Sequence, residues 1–323
     1  MALNSYLAQV QSLLGTGAAG NLFQSPQLTI FINEARRQVA MRGQCVRQLS
    51  PVAGPISSIS IVTTGSGYNT TAPTITIGGP DFPLGNAVAP GGIQASATAT
   101  LSGAQLSTVT LQSAGNGYFS PSFTLTNGSP TTQATLVAFV SNISTTTVGQ
   151  EVYPFARTLQ CIQSVTSGIQ SILAVKSVGM LYGTFRYLEM QTSFSKYQAL
   201  VRVYGNQFQD VPAIACQYGQ GVSGSLYMYP VANAVYQTEW DCICLPADLV
   251  DDTTIEVIPQ PWQDCVQYFA AYKAFLQAQR FADAERMFCE DPKKPLGLFQ
   301  QFMRAARQTS QPGMVSNFYG RAV

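Results

Sequence analysis

A chain of 323 residues without a single histidine lacks the side chain most used as general base, as zinc ligand and as partner to a serine or cysteine nucleophile. Any chemistry falls to carboxylates, thiols, lysines and tyrosines. Cys242 and Cys244 form a Cys-x-Cys on an expected strand, where residues two apart share a face. A metal site would need two further ligands, and no second pair stands at a recognisable spacing, so buried thiols are expected. Asp248, Asp251 and Asp252 in PADLVDDTTIE could coordinate a hard cation or serve as the paired carboxylates of a hydrolase. They lack the glycine and oxygen-ligand pattern of a calcium loop, and a solvated acidic loop is the reading. Gly65, Gly67 and Tyr68 (GSGY) and Gly115, Gly117 and Tyr118 (GNGY) have neither the lysine nor the following helix N-terminus of a phosphate cradle; they read as hairpin turns. Arg36, Arg37, Arg42 and Arg47 are thin for a duplex reader and read as a solvated face. No catalytic group, metal or cofactor is expected.

The cysteines, at 45, 161, 216, 242, 244, 265 and 289, are odd in number and scattered, unlike a secreted disulfide framework, and read as reduced. No apolar run approaches the roughly 18 residues of a membrane span, and no signal peptide with a basic n-region opens the chain, so a soluble protein that is not exported by cleavage is expected. Only 10% of residues are charged while 46% are hydrophobic, against about 25% charged in an ordinary domain. Weak like-charge repulsion favours self-association. The net charge of +1 hides segregation: Val203 to Asp264 holds no Lys or Arg and eight acids, Asp210, Glu239, Asp241, Asp248, Asp251, Asp252, Glu256 and Asp264. Such a chain could stack on copies of itself. In a ring, the acidic segment together with Arg36 and Arg37 would set the channel electrostatics, and an acidic channel wall would let DNA slide without sticking.

Leu3, Tyr6, Leu7, Val10 and Leu14 follow helical spacing up to Gly15, and Leu28, Phe31, Ile32, Ala35 and Val39 predict a second helix with Ser25 as N-cap and Pro26 first inside, ending near Arg42. Neither is long enough to be stable alone. Val52 to Gln150 contains one charged residue, Asp81, and a repeat: Ile59 to Gly79 matches Val109 to Gly128. Apolar residues alternating with Thr and Ser on both sides of Gly-x-Gly predict a hairpin in each copy, closed by strands over Ala95 to Leu101 and Ala134 to Val140. Short strands are expected over Cys161 to Val165, Ile172 to Val178, Ala213 to Tyr218, Ser225 to Pro230 and Thr238 to Leu245, with a helix capped by Ser193 running through Tyr204. Helical period returns with Cys265, Phe269, Tyr272, Phe275, Leu276 and Gln279, is broken at Asp291 to Pro295, and resumes over Leu296 to Arg307. Thr309 to Val323 has no period and reads as an extended arm.

The fold class is therefore α+β. N-terminal helices (1–51) and C-terminal helices (261–308) form a bundle, 151–260 a mixed, mainly antiparallel β domain, 52–150 an inserted all-β repeat module, and 309–323 an arm.

The stretches SKYQALVRVY, VPAIACQYGQGVSGSLYMYPV, YQTEWDCICLPADLVDDTTIEVIPQPWQDCVQYFAAYKAFLQAQ and SNFYGR resemble the head-to-tail adaptor proteins of short-tailed bacteriophages, as do the first 50 residues. The resemblance covers about two thirds of the chain; the inserted repeats look like the β modules scattered among phage structural proteins. It implies a ring of twelve copies in the virion, contacts with the portal protein above and a tail tube or nozzle protein below, passage of double-stranded DNA without sequence specificity, no membrane and no catalysis. It also implies an arm that reaches the portal, carried here onto Met314, Val315, Phe318, Tyr319 and Arg321. Those side chains alone do not offset the ordering of some fifteen residues, so the arm needs backbone hydrogen bonds to its partner and the effective concentration of a ring. The insert would reach outward, towards tail fibre or capsid. The alternative is a carbohydrate-binding or decorating virion protein acting through the insert, with Tyr68 and Tyr118 stacking on sugars, against the blander reading that both pack within their hairpins.

Overall fold

The computed structural model describes residues 2–15, 23–68, 71–80, 92–119, 121–182, 184–205 and 208–310. In chain order it runs α1 (Leu3–Leu14), α2 (Ser25–Gly43), β1 (Arg47–Leu49), β2 (Ile56–Thr63), β3 (Thr74–Ile77), β4 (Ser96–Ser102), β5 (Gln105–Ser113), β6 (Phe123–Thr126), β7 (Thr135–Val140) and β8 (Val152–Pro154). Then follow α3 (Phe155–Val165), β9 (Ile169–Tyr182), β10 (Thr184–Tyr187), β11 (Glu189–Gln191), α4 (Phe194–Tyr204), β12 (Gln209–Asp210), β13 (Ile214–Tyr218), β14 (Ser225–Tyr229), β15 (Val231–Ala232), β16 (Thr238–Pro246), α5 (Gln263–Gln277), α6 (Phe281–Met287) and α7 (Leu298–Ser310). The class is α+β.

The amphipathic spacing of the end helices has a direct consequence in packing. Tyr6 and Val10 of α1, Ile32 and Val39 of α2, Phe269 and Ala270 of α5 and Phe299 and Met303 of α7 are buried in one cluster with Ile172, Val178, Trp240 and Cys242 of the sheet. The two ends of the chain thus close one core over a four-stranded antiparallel sheet of order β1-β16-β9-β10. A second sheet, β11-β13-β14-β8, joins one parallel pair to antiparallel ones. Segment 144–149 bonds to the body, through Thr146 to Tyr236 and Gly149 to Ala232.

Several local expectations change. Cys161 to Val165 is the last turn of α3, because Phe155, Thr158, Cys161 and Ile162 bury one helical face; five residues alone fit either period. The N-cap of α2 is Gln24, in a reciprocal capping box with Gln27, and Ser25 already lies inside the helix. The helix after PQPW stops at Gln277: Arg280 N–H donates to Phe275 O and Gln279 N–H to Leu276 O, with Gln279 at φ 56, a Schellman stop that separates α6. Thr309 and Ser310 still belong to α7, where the Thr309 hydroxyl donates to Ala305 O at 3.1 Å. Ser193 caps α4 as expected, accepting from Lys196 N–H.

The insert departs most. Its Gly-x-Gly units are not hairpin turns: β2 pairs with β7, β3 with β6 and β4 with β5. Each copy therefore takes its closing strand from the other, in an exchange with approximate two-fold symmetry. Hydrogen bonds repeat across it, Tyr68 N–H to Ala104 O matching Tyr118 N–H to Gly54 O, and Leu106 N–H to Thr64 O matching Ile56 N–H to Ala114 O. The Tyr68 hydroxyl accepts from Ala134 N–H and the Tyr118 hydroxyl from Ala95 N–H, both at 2.8 Å, where the exchanged strands begin. Gly65 and Gly115 lie at φ 66 and 59, and a Cβ there would stand 2.6 Å from Thr132 O and 2.4 Å from Ile93 O. Only glycine permits both that conformation and that approach.

Candidate interaction surface

Four arginines of the N-terminal segment meet acids within the same chain. Arg36 is fully buried on the inner face of α2. Its Nε and Nη2 donate to Glu256 Oε2 and Oε1, both at 2.9 Å, and its Nη1 donates to Ala247 O at 2.6 Å. Asn33, one turn earlier, accepts Leu249 N–H at 2.8 Å and donates to Leu249 O at 3.0 Å. The expectation that Arg36 belongs to a solvated face or to channel electrostatics is therefore wrong: it bolts α2 to segment 247–256. The bidentate fork supplies the geometry that a buried guanidinium requires. Arg37 pairs with Asp248, Arg42 with Glu290 and Arg47 with Asp241. Charge that could have bridged copies is thus largely matched inside one chain.

The acidic loop does not assemble a two-carboxylate site. Asp252 accepts Asn4 N–H at 2.8 Å. Asp251 Oδ1 accepts the Thr253 and Thr254 hydroxyls at 2.7 and 3.0 Å and their backbone N–H groups at 3.0 Å. The two hydroxyls, then the two amides, hold its carboxyl below the usual aspartate range. All seven cysteines are free, six of them buried. Burial pushes the thiols of Cys45, Cys244 and Cys265 up to about 12 and raises that of Cys242 well above its ordinary value. Such thiols stay protonated at neutral pH.

Tyr68 and Tyr118 are 3% and 0% exposed, with their hydroxyls engaged, so neither ring presents a face to a sugar. They pack as braces, across the exchange and not within hairpins. Met314, Val315, Phe318, Tyr319 and Arg321 lie outside the described residues.

What the sequence reading missed is an aromatic flank where the insert meets the body. A groove of about 460 Å³ lies between β7 and the end of the main sheet, lined by Val137, Phe139, Leu181, Val235, Tyr236 and Gln237 among others. Phe139 and Val235 are 52% and 66% exposed. Tyr182 meets Tyr236 edge-on at 5.8 Å, and the Arg186 guanidinium stands 4.8 Å over the Tyr182 ring. Tyr and Arg beside Phe, with few acids, is the composition enriched at protein interfaces. A signal existed: in ATLVAFV the phase that buries Leu136, Ala138 and Val140 leaves Val137 and Phe139 outward on an otherwise Ser and Thr face.

Among the described residues no helix is long and apolar enough to cross a membrane. No protein-family model matches this chain, and no curated protein matches it.

Proposed function

We propose that this chain is a structural protein of a bacteriophage head-tail junction: a ring subunit seated beneath the portal, continuing the DNA channel towards the tail and performing no catalysis. The carrying observation is the joint closure of the N- and C-terminal helices over one sheet, so that the first 50 residues and the stretch from Tyr236 to Gln279, both with adaptor resemblance, share one core. The insert stands on that frame with small cores of its own, one around Ile56, Ile75 and Tyr118 and one around Tyr68 and Leu106. Ion pairs stiffen the frame internally, and the aromatic flank offers contact area. Residues 311–323 reach the portal, the insert faces tail fibre or capsid, and twelve copies are the number the resemblance implies.

Negative-stain imaging of the purified chain, alone and mixed with a portal ring, tests this. Rings, or stacked density on the portal, are expected. A monomer at tens of micromolar that leaves the portal bare would end the proposal.

A further inference from the structure

The four-stranded sheet has two rims, β1 and β10. Each packs mainly on its one sheet partner, β1 on β16 and β10 on β9. Edge strands are normally blunted by charge, proline or cover, because their unpaired N–H and C=O groups invite another chain. Here both rims are short, and each holds one arginine that is engaged within the chain, Arg47 with Asp241 and Arg186 over the Tyr182 ring; beside it each carries an exposed apolar side chain, Leu49 at 58% and Tyr187 at 69%.

The register puts these two residues in equivalent positions. Ser50 N–H donates inward to Trp240 O and Leu188 N–H inward to Val178 O, both at 2.9 Å. In an antiparallel ladder the neighbouring residue points its N–H and C=O the other way, so Leu49 and Tyr187 direct theirs out of the sheet. They also share a face. Leu49 lies opposite Asp241, Tyr187 opposite Gly179, and Gly179 opposite Glu239; Glu239 and Asp241 are two apart on β16 and so point to one side.

We infer that β10 of one copy adds to β1 of the next, running one sheet from subunit to subunit with Tyr187 beside Leu49. This rests on the ring reading above and names the surface that would build it. A second copy is the occupant because it alone covers both rims: the chain presents two, of three and four residues, at opposite ends of the sheet. Joining unlike edges is a heterologous contact, which closes into a ring when the rotation allows. The aromatic flank of Tyr182, Tyr236 and Arg186 borders β10 and would widen the contact. Pairing β10 with β10 would give only dimers and leave Leu49 bare.

The test is mass photometry and sedimentation of the full chain against Leu49→Asp and Tyr187→Asp, each checked for an unchanged thermal transition. Each single variant should be monomeric, with at least a tenfold loss in association, and a one-to-one mixture should give dimers and nothing larger, since each variant keeps one intact rim. Leu49→Thr and Tyr187→Thr, which suit a strand, serve if an aspartate variant fails to fold, and should weaken assembly in the same order. Rings that persist in the variants would overturn this inference and spare the ring reading. Dimers formed by Leu49→Asp alone would point to β10–β10 pairing and overturn it too. A monomeric parent chain would remove both.

Discussion

Glu256→Ala tests the buried bolt. The Arg36 and Glu256 side chains are 1% and 3% exposed and joined by two hydrogen bonds of 2.9 Å. Truncation would leave a guanidinium in the core with only Ala247 O and Asn33 Oδ1 as acceptors, and would orphan Ile258 N–H, which now donates to Glu256 Oε1 at 2.9 Å. Removing one partner of a buried pair costs about 3–5 kcal/mol. At roughly 2 °C per kcal/mol for a chain of this size, the melting midpoint should fall by roughly 6–10 °C. The double variant Arg36→Met, Glu256→Met should recover most of this, since apolar replacements of buried pairs are near neutral. Raising salt from about 0.05 to 0.5 M should barely move the Arg36 effect, because a buried pair is little screened, while a cycle on the exposed Arg37–Asp248 pair should give under about 1 kcal/mol. Calorimetry with denaturant melts reads all of these. A cost below about 1 kcal/mol for Glu256→Ala, or strong salt dependence, would refute the claim that this pair is a dry structural bolt.

Gly65→Ala or Gly115→Ala should each cost more than about 1 kcal/mol, and limited proteolysis should then cut the insert while leaving the helical frame intact. Tyr118→Phe removes the acceptor of Ala95 N–H and the donor to Gly78 O, which should cost about 1–3 kcal/mol; Tyr68→Phe should resemble it, and hydrogen exchange at Ala134 would report the loss. Burial, then the charge of Asp241, raises the Glu239 carboxyl. A raised carboxyl favours the folded state below its unfolded pKa and loses that advantage as pH rises through the folded value. Glu239→Gln should therefore raise the melting midpoint at pH 7 and leave it unchanged near pH 3; equal gains at both would contradict the cause.

Wherever a local period ran long enough to be unique, it was legible. α1, α2, α4 and the strands β13, β14 and β16 stand within about a residue or two of their expected bounds, because amphipathic repetition and a capping serine act through neighbours in sequence. The segment CIQSV was not legible: it alternates well enough for a strand and turned helical through Phe155 and Thr158 upstream. The repeat in the insert was visible residue by residue, yet its pairing was not. Strands of near-identical composition can pair within a copy or across copies, and in the pairing formed the Tyr68 and Tyr118 hydroxyls meet Ala134 and Ala95 N–H, 66 and 23 residues away.

Charge shows the same division. The eight acids and the four arginines were countable, and so was their segregation, because composition needs no coordinates. That Arg36 is a core residue and Arg37 a half-exposed one was decided by the fold: adjacent positions on a helix point about 100° apart, and only the sheet and segment 247–256 pressed against α2 determine which of the two must be desolvated. Sequence alone determined what elements this chain can make and how little charge it can show. The tertiary structure decided which strand meets which and which ions lie dry, since those energies come from partners outside the local period, 66 residues away for Tyr68 and 220 for Arg36.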